Sequence, residues 1–269
     1  MLAPWVIQHF PPHRVYTEVY GGAASILLRK DRSYAEIYND LDDEVVTLFQ
    51  VLRDTDLSAQ LIERIMLTPF SRREFNGAYD VTDDPVEKIR RLIVRSFMGF
   101  GSNGHNPKWK TGFRANSNRS GSTPAHDWQN YPASLKAVID RLAKVVVENR
   151  LAVDVLKQHD GVDTLHYVDP PYVVSTREPN RAEIRGSYKF ELTDEDHADL
   201  ADALHSLTGM VVLSGYPSKL YDNELFPRWH RVTRDAFADG ARQRTEVLWL
   251  NDAAINATGH GPLFERDSA

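Results

Sequence analysis

Thr164-Leu165-His166-Tyr167-Val168-Asp169-Pro170-Pro171-Tyr172 is the stretch whose reading decides the fold. The first five residues form a short apolar run that reads as a buried strand. An acid, two prolines and an aromatic then stand at that strand's carboxyl end. Asp169 offers carboxylate acceptors. A proline has no N–H, so the carbonyls around Pro170 and Pro171 are not committed to a ladder. Tyr172 offers a face for a flat ring. In an open α/β sheet, ligands bind beyond the carboxyl ends of the strands. The four residues therefore read either as a clamp for a planar amine or as a rigid strand exit with an exposed acid.

Upstream, Arg14–Tyr20 reads as a first strand running into Gly21-Gly22-Ala23-Ala24-Ser25, followed by a helix through Lys30. Such a turn lets backbone approach a ligand closely and presents helix N–H groups. Tyr34–Tyr38 reads as a second strand ending at Asn39-Asp40. Asp40 stands 22 residues after Glu18. An acid at that distance holds a ribose hydroxyl pair in dinucleotide folds, or it caps the helix beginning near Asp42. The full G-x-G-x-x-G is missing, so a pyrophosphate cradle is not expected.

The remaining chain alternates in the same way. Helices are expected over Asp42–Arg53, Leu57–Met66, Ser71–Tyr79, Pro85–Ser96 and Pro132–Lys144, and a strand over Val145–Glu148. Thr193 and Asp196 make a capping-box start for a helix to Leu207. Met210–Tyr216 reads as an apolar strand. His230–Phe237 and Arg244–Asn251 read as a terminal hairpin, and the residues after Asn251 as a loose tail. Strands alternating with helices imply a mostly parallel α/β sheet.

Composition bounds the function. The chain has 269 residues, enough for one large α/β domain with an insertion. It contains no cysteine, which excludes thiol nucleophiles and cysteine-zinc sites and points weakly to the cytoplasm. No apolar run is long enough to span a bilayer, and no signal peptide is evident, so no membrane partner and no metal are expected. Acids outnumber bases, 38 against 32, yet the stretch from Lys88 to His126 holds no acid. It carries Lys88, Arg90, Arg91, Arg95, Lys108, Lys110, Arg114 and Arg119. A local basic patch on an acidic body is the footprint of phosphate binding, though a charge run is by default a solvated face. Gly99–Thr123 is also rich in Gly, Asn and Ser and carries Phe100, Trp109 and Phe113, which suits contact with phosphates and bases.

Taken in order, these parts resemble the Dam-type DNA adenine-N6 methyltransferases, in particular phage-like members of the alpha group. The resemblance rests on Tyr16-Thr-Glu-Val-Tyr-Gly-Gly-Ala-Ala-Ser25, Tyr38-Asn-Asp-Leu-Asp42, the basic segment, Asp169-Pro-Pro-Tyr172, Leu213-Ser-Gly-Tyr216 and Thr245-Glu-Val-Leu-Trp-Leu-Asn251. It implies an α/β, Rossmann-like S-adenosylmethionine-dependent methyltransferase sheet with a reversed terminal hairpin. A mostly helical target-recognition lobe would be inserted in it. The expected division is 1–54 with 131–252 for catalysis, 55–130 for DNA target recognition and 253–269 as a flexible tail.

The implied cofactor is S-adenosylmethionine and the implied partner double-stranded DNA, with a restriction-modification or phage setting. By position, Glu18, Tyr20, Gly21, Gly22, Ala23 and Ser25 would surround the methionine part of the cofactor. Asp40 with Leu41 would meet its ribose, and Asp154 would substitute for an acid at its adenine end. Asp169, Pro170, Pro171 and Tyr172 would act on the target amine, with Asp169 also facing the cofactor. Lys108, Lys110, Arg114, Asn116, Asn118 and Arg119 would contact DNA. The family pattern has glutamate-proline-phenylalanine where this chain has Glu18-Val19-Tyr20, and often a second glycine where it has Ala24. The family's proline/alanine-glycine-glycine-lysine segment is not found before the first strand, since the sequence begins Met1-Leu2-Ala3-Pro4. That leaves a second expectation, a catalytically silent DNA-binding module of the same fold. A third is transfer to another amine, such as cytosine N4 or a glutamine amide; serine or asparagine is commoner there at the position of Asp169.

Overall fold

A computed structural model describes residues 2–100, 110–115, 121–176, 190–238 and 242–258. Taken over their described residues, Met1–Leu41, Lys144–Gly186 and Phe190–Ala269 build one compact unit, and Asp42–Ala143 builds the bulk of a second.

The first unit is a seven-stranded sheet in the order β3-β2-β1-β4-β5-β7-β6. The strands are β1 (Val15–Glu18), β2 (Ala35–Asn39), β3 (Val145–Glu148), β4 (Thr164–Val168), β5 (Met210–Gly215), β6 (His230–Ala238) and β7 (Arg242–Leu250). β1 to β5 are parallel, and β7 runs antiparallel to both β5 and β6. The expected α/β sheet and its reversed hairpin are thus present. All five residues of β4 and all six of β5 are buried, as continuous apolar runs in a two-sided parallel sheet require. Chain order reverses between β1 and β4, whose ladder pairs Glu18 with Tyr167. The carboxyl ends of these two strands therefore open the switch-point crevice where α/β sheets bind ligands.

Around the sheet, Val19, Ile37, Val168, Leu213 and Trp249 pack with Val155 and Leu156 of one helix (Ala152–Gln158) and Leu200 and Leu204 of another (Asp194–Ser206). The second of these begins with the expected capping box, in which the Thr193 hydroxyl and the Asp196 carboxylate each satisfy the other's backbone N–H. A short helix, Ala3–Ile7, precedes β1.

Two expectations fail here. No helix follows the glycine turn. Residues 21–30 form successive tight turns instead, because Gly22 (φ +48°) and Ala24 (φ +52°) are left-handed and Leu27 N–H is taken by the Glu18 carboxylate at 2.8 Å. The end of the chain is not all tail either: Asp252–Ala257 is a helix capped by the Asn251 side chain on Ala254 N–H, with Ala254 buried.

The second unit is helical: Asp43–Arg53, Thr55–Leu67, Arg72–Gly77, Pro85–Met98, Pro124–Gln129 and Tyr131–Leu142. Asp42, Asp54, Ser71, Asp84 and Thr123 each cap the helix that follows them. Val86, Ile89 and Ile93 bury one face of the Pro85–Met98 helix, as their spacing predicts. Asp43–Arg53, expected to belong with the sheet, is tied to that helix by Lys88–Asp43 (2.8 Å) and Arg95–Glu44 (2.9 Å) ion pairs. Among the described residues no helix is long and apolar enough to cross a membrane.

Candidate active site

Three strand ends meet at the switch point, and each brings residues singled out in the sequence. From β1 comes Glu18, 2% exposed. Its Oε2 accepts the Tyr16 hydroxyl at 2.7 Å and Leu27 N–H at 2.8 Å. Burial pushes its carboxyl up to about 8 despite these two bonds, and the nearby Asp169 charge adds to the rise. Glu18 thus holds the glycine turn from beneath. Tyr20, next along, is half-buried with its phenol pushed up to about 12 by burial.

Gly21 has no room for a side chain: a Cβ there would stand 1.9 Å from Cε2 of Tyr38. The Tyr38 hydroxyl in turn donates to Gly22 O at 2.5 Å. From β2 comes Asp40, whose Oδ2 accepts Gly22 N–H at 2.8 Å. Asp42, not Asp40, caps the following helix, so the capping alternative for Asp40 is ruled out. Asn39 bonds Val19 O and both the N–H and carbonyl of Arg150, locking the ends of β1 and β3 beside the turn. Ala23 and Ser25 are exposed on the turn and Leu41 is half-buried. Asp154 is exposed on the first turn of the Ala152–Gln158 helix.

From β4 comes Asp169. The residue keeps some solvent contact, yet its Oδ1 is enclosed without a hydrogen-bond partner. The Tyr172, Ser214 and Tyr167 hydroxyls draw its pKa down from nearby, but none meets hydrogen-bond geometry at Oδ1. Burial outweighs them and lifts the carboxyl to about 6. Pro170 is buried and Pro171 half-buried. Tyr172 lies edge-on to Tyr216, ring centroids 4.4 Å apart at 73°, and its hydroxyl is 3.4 Å from Glu246 Oε2. Ser214, Tyr216 and Glu246 join the site from β5 and β7. The sequence marked the motifs that contain them but gave them no role.

Of the proposed DNA contacts, Lys110 and Arg114 are described, both in the second unit. Lys108, Asn116, Asn118 and Arg119 fall outside the described residues, as does Trp109. Lys110 is exposed, with Nζ 5.6 Å from the Tyr79 ring centroid. Arg114 Nη1 donates to Phe97 O at 3.2 Å. Phe113 is packed against Phe70 and Phe75, so it is not a free stacking surface, whereas Phe100 is exposed. The upstream half of the basic run is spent internally. Besides the Lys88 and Arg95 pairs, Arg90 binds Glu87 and Glu74 (2.7 and 2.9 Å) and Arg91 binds Glu87 (2.8 Å). These four charges are engaged in ion pairs that brace the helices.

A mostly parallel sheet with a reversed hairpin thus carries a glycine turn and an acid-aromatic pair at neighbouring strand ends. The family model for the D12 class N6 adenine-specific DNA methyltransferases matches residues 1–234. The chain belongs to that family and is an adenine-specific DNA methyltransferase. Members of the family use S-adenosylmethionine as methyl donor and DNA as substrate. No curated protein matches the chain.

Proposed function

We propose that Asp169, Pro170, Pro171 and Tyr172 grip the amine of an adenine extruded from double-stranded DNA, beside a methyl donor held by the β1 turn. The observation that carries this reading is the enclosed, unpartnered Asp169 Oδ1. A buried acceptor left unpaired is costly and rare in a folded chain. A ligand N–H supplies what the protein withholds. Asp169 accepts one N–H of the amine and the Pro170 carbonyl accepts the other. Two acceptors off the ring plane favour a tetrahedral nitrogen, freeing the lone pair that is otherwise delocalised into the ring. Asp169 need not be a strong base, since the proton can leave to water after transfer.

The residues present fit S-adenosylmethionine. Gly21 packs directly on the Tyr38 ring, while the space that a Cβ at Gly22 would enter is open. The fixed turn presents Tyr20, Gly22, Ala23 and Ser25 to the methionine part, with Glu18 supporting it from below. Asp40 and Leu41 take the ribose, and Asp154 is the acid offered to the adenine end. Bound there, the cofactor supplies a sulfonium methyl group, a strong electrophile.

Extruding the base costs a few kcal/mol, and stacking on Tyr172 returns on the order of 1–3 kcal/mol. The helical unit acts as the target-recognition lobe. In it Lys108, Lys110, Arg114 and Arg119 attract the backbone, and Arg114, Asn116, Asn118 and Arg119 are the types that pair with base edges.

The test is transfer of labelled methyl from S-adenosylmethionine to adenine-containing duplex, with the modified base mapped. N6-methyladenine is expected. Label in cytosine, or none, overturns the reading.

A further inference from the structure

Leu213–Tyr216 and Thr245–Asn251 take no part in the chemistry above, yet the sheet brings both against Tyr172. β5 and β7 pair antiparallel, Gly215 opposite Val247 and Ser214 opposite Leu248. This register sets Glu246 beside Tyr216 at the carboxyl end of β5. Tyr216 meets the ring of Tyr172, and Glu246 meets its hydroxyl. Arg244, two residues before Glu246 and so on the same face of β7, donates to the Tyr216 hydroxyl at 2.9 Å and lies 5.3 Å from its ring centroid. Tyr172 is thereby held from two sides by two strands. Both Arg244 and Glu246 lie beyond the residues matched by the family model.

We infer that Glu246 is a positioning residue for methyl transfer: by accepting the Tyr172 hydroxyl hydrogen it fixes the ring that flanks the target purine. The inference rests on the reading of Asp169–Tyr172 as the amine site. The 3.4 Å approach is long for a hydrogen bond, but such contacts commonly tighten once substrate is bound. The groups facing Glu246 are Asp169, Tyr172 and Tyr167 from β4 and its exit, Tyr216 from β5 and Arg244 from β7. Glu18 of β1 faces Asp169.

The direction of the electrostatic effect is set by the like charges. Burial, then the Asp169 charge, push Glu246 up to about 7, against the pull of Tyr172 and Arg244. Asp169, lifted only to about 6, ionises first, so the repulsion between the two carboxylates falls on Glu246. An ordinary half-buried strand acid would show no dependence on the Tyr172 hydroxyl.

The test compares Glu246→Ala, Glu246→Gln, Tyr172→Phe and the Glu246→Ala/Tyr172→Phe double variant in methyl transfer to adenine-containing duplex, with Asp169→Ala alongside. Glu246→Ala is expected to lower kcat by about tenfold or more while KM for DNA moves less than about threefold. Glu246→Gln recovers most of kcat, because its carbonyl still accepts the phenol. In the Tyr172→Phe background the alanine change costs nothing further. Additive losses, or a Gln variant no better than Ala, overturn the inference. If Glu246→Ala does not fold, Glu246→Asp replaces it: its shorter side chain withdraws the acceptor from the phenol, so its kcat is expected to fall below that of Gln, and equality with Gln overturns the inference. Turnover by Asp169→Ala would instead overturn the amine-site reading itself, so the two failures are told apart.

Discussion

The Asp40 carboxylate accepts the Gly22 N–H at 2.8 Å, so the acid at the end of β2 is also the clasp of the glycine turn that leaves β1. The proposed cofactor role of Asp40 and its structural role are separable. Asp40→Asn keeps an acceptor for Gly22 but loses the charge and one acceptor for a ribose. Asp40→Ala loses both. Isothermal titration with S-adenosylmethionine is expected to show weakening by about tenfold or more for Ala and an intermediate loss for Asn. Equal affinities for all three forms would remove Asp40 from the cofactor site.

Gly21 and Gly22 differ in kind, and substitution distinguishes them. A Cβ at Gly21 collides with the Tyr38 ring, whereas at Gly22 it meets nothing within 4 Å and suffers only from the positive φ. Gly21→Ala is expected to destabilise the fold by about 1–3 kcal/mol and to abolish measurable cofactor binding. Gly22→Ala should cost about 1 kcal/mol. Denaturant melts of the two variants check the order; a reversal would mean the turn is not built as described.

Much of this fold is legible locally. The apolar run of β4, the Thr193/Asp196 box and the Asp84-Pro85 start all announce themselves within a few residues. The glycine turn is not legible in that way. Its helix is cancelled by a glutamate nine residues before Leu27 and by Ala24 in a left-handed conformation. The basic run misleads for a similar reason: Glu44 sits 51 residues from Arg95, and no charge count shows that they pair. The meeting of Tyr172 with Glu246 spans 74 residues and depends on β7 running antiparallel beside β5. Propensity and spacing carry local geometry, whereas convergence at a sheet edge comes from topology.

Glu18 makes stability fall as pH rises. Its folded pKa, about 8, lies above the ordinary 4.5, so the folded state binds the extra proton between those values. The stabilisation it contributes is complete below about pH 4.5 and is lost as pH climbs through about 8. Glu18→Gln keeps the acceptor for Tyr16 and Leu27 and cannot ionise. The difference in Tm between wild type and this variant, measured by calorimetry from about pH 5 to 9, is expected to move steadily in favour of the variant. A constant difference would show that Glu18 titrates as an ordinary carboxyl.

The two halves of the basic run should respond differently to neutralisation. Replacing Lys108, Lys110, Arg114 and Arg119 by glutamine is expected to flatten the salt dependence of DNA binding, by about 0.9 in log–log slope for each phosphate no longer neutralised. Replacing Arg90 or Arg95, which are ion-paired within the helices, should lower stability and leave the slope unchanged. Filter binding across a salt series reads the first effect and thermal melts the second. An unchanged slope in the fourfold variant would make that segment merely a solvated surface.

The most direct measurement is methyl transfer by Asp169→Ala, with duplex binding tracked in the same samples. Incorporation of labelled methyl into adenine is expected to vanish while DNA affinity persists, because the variant lacks the enclosed acceptor aimed at the amine. Turnover at an undiminished rate would contradict the site at its centre.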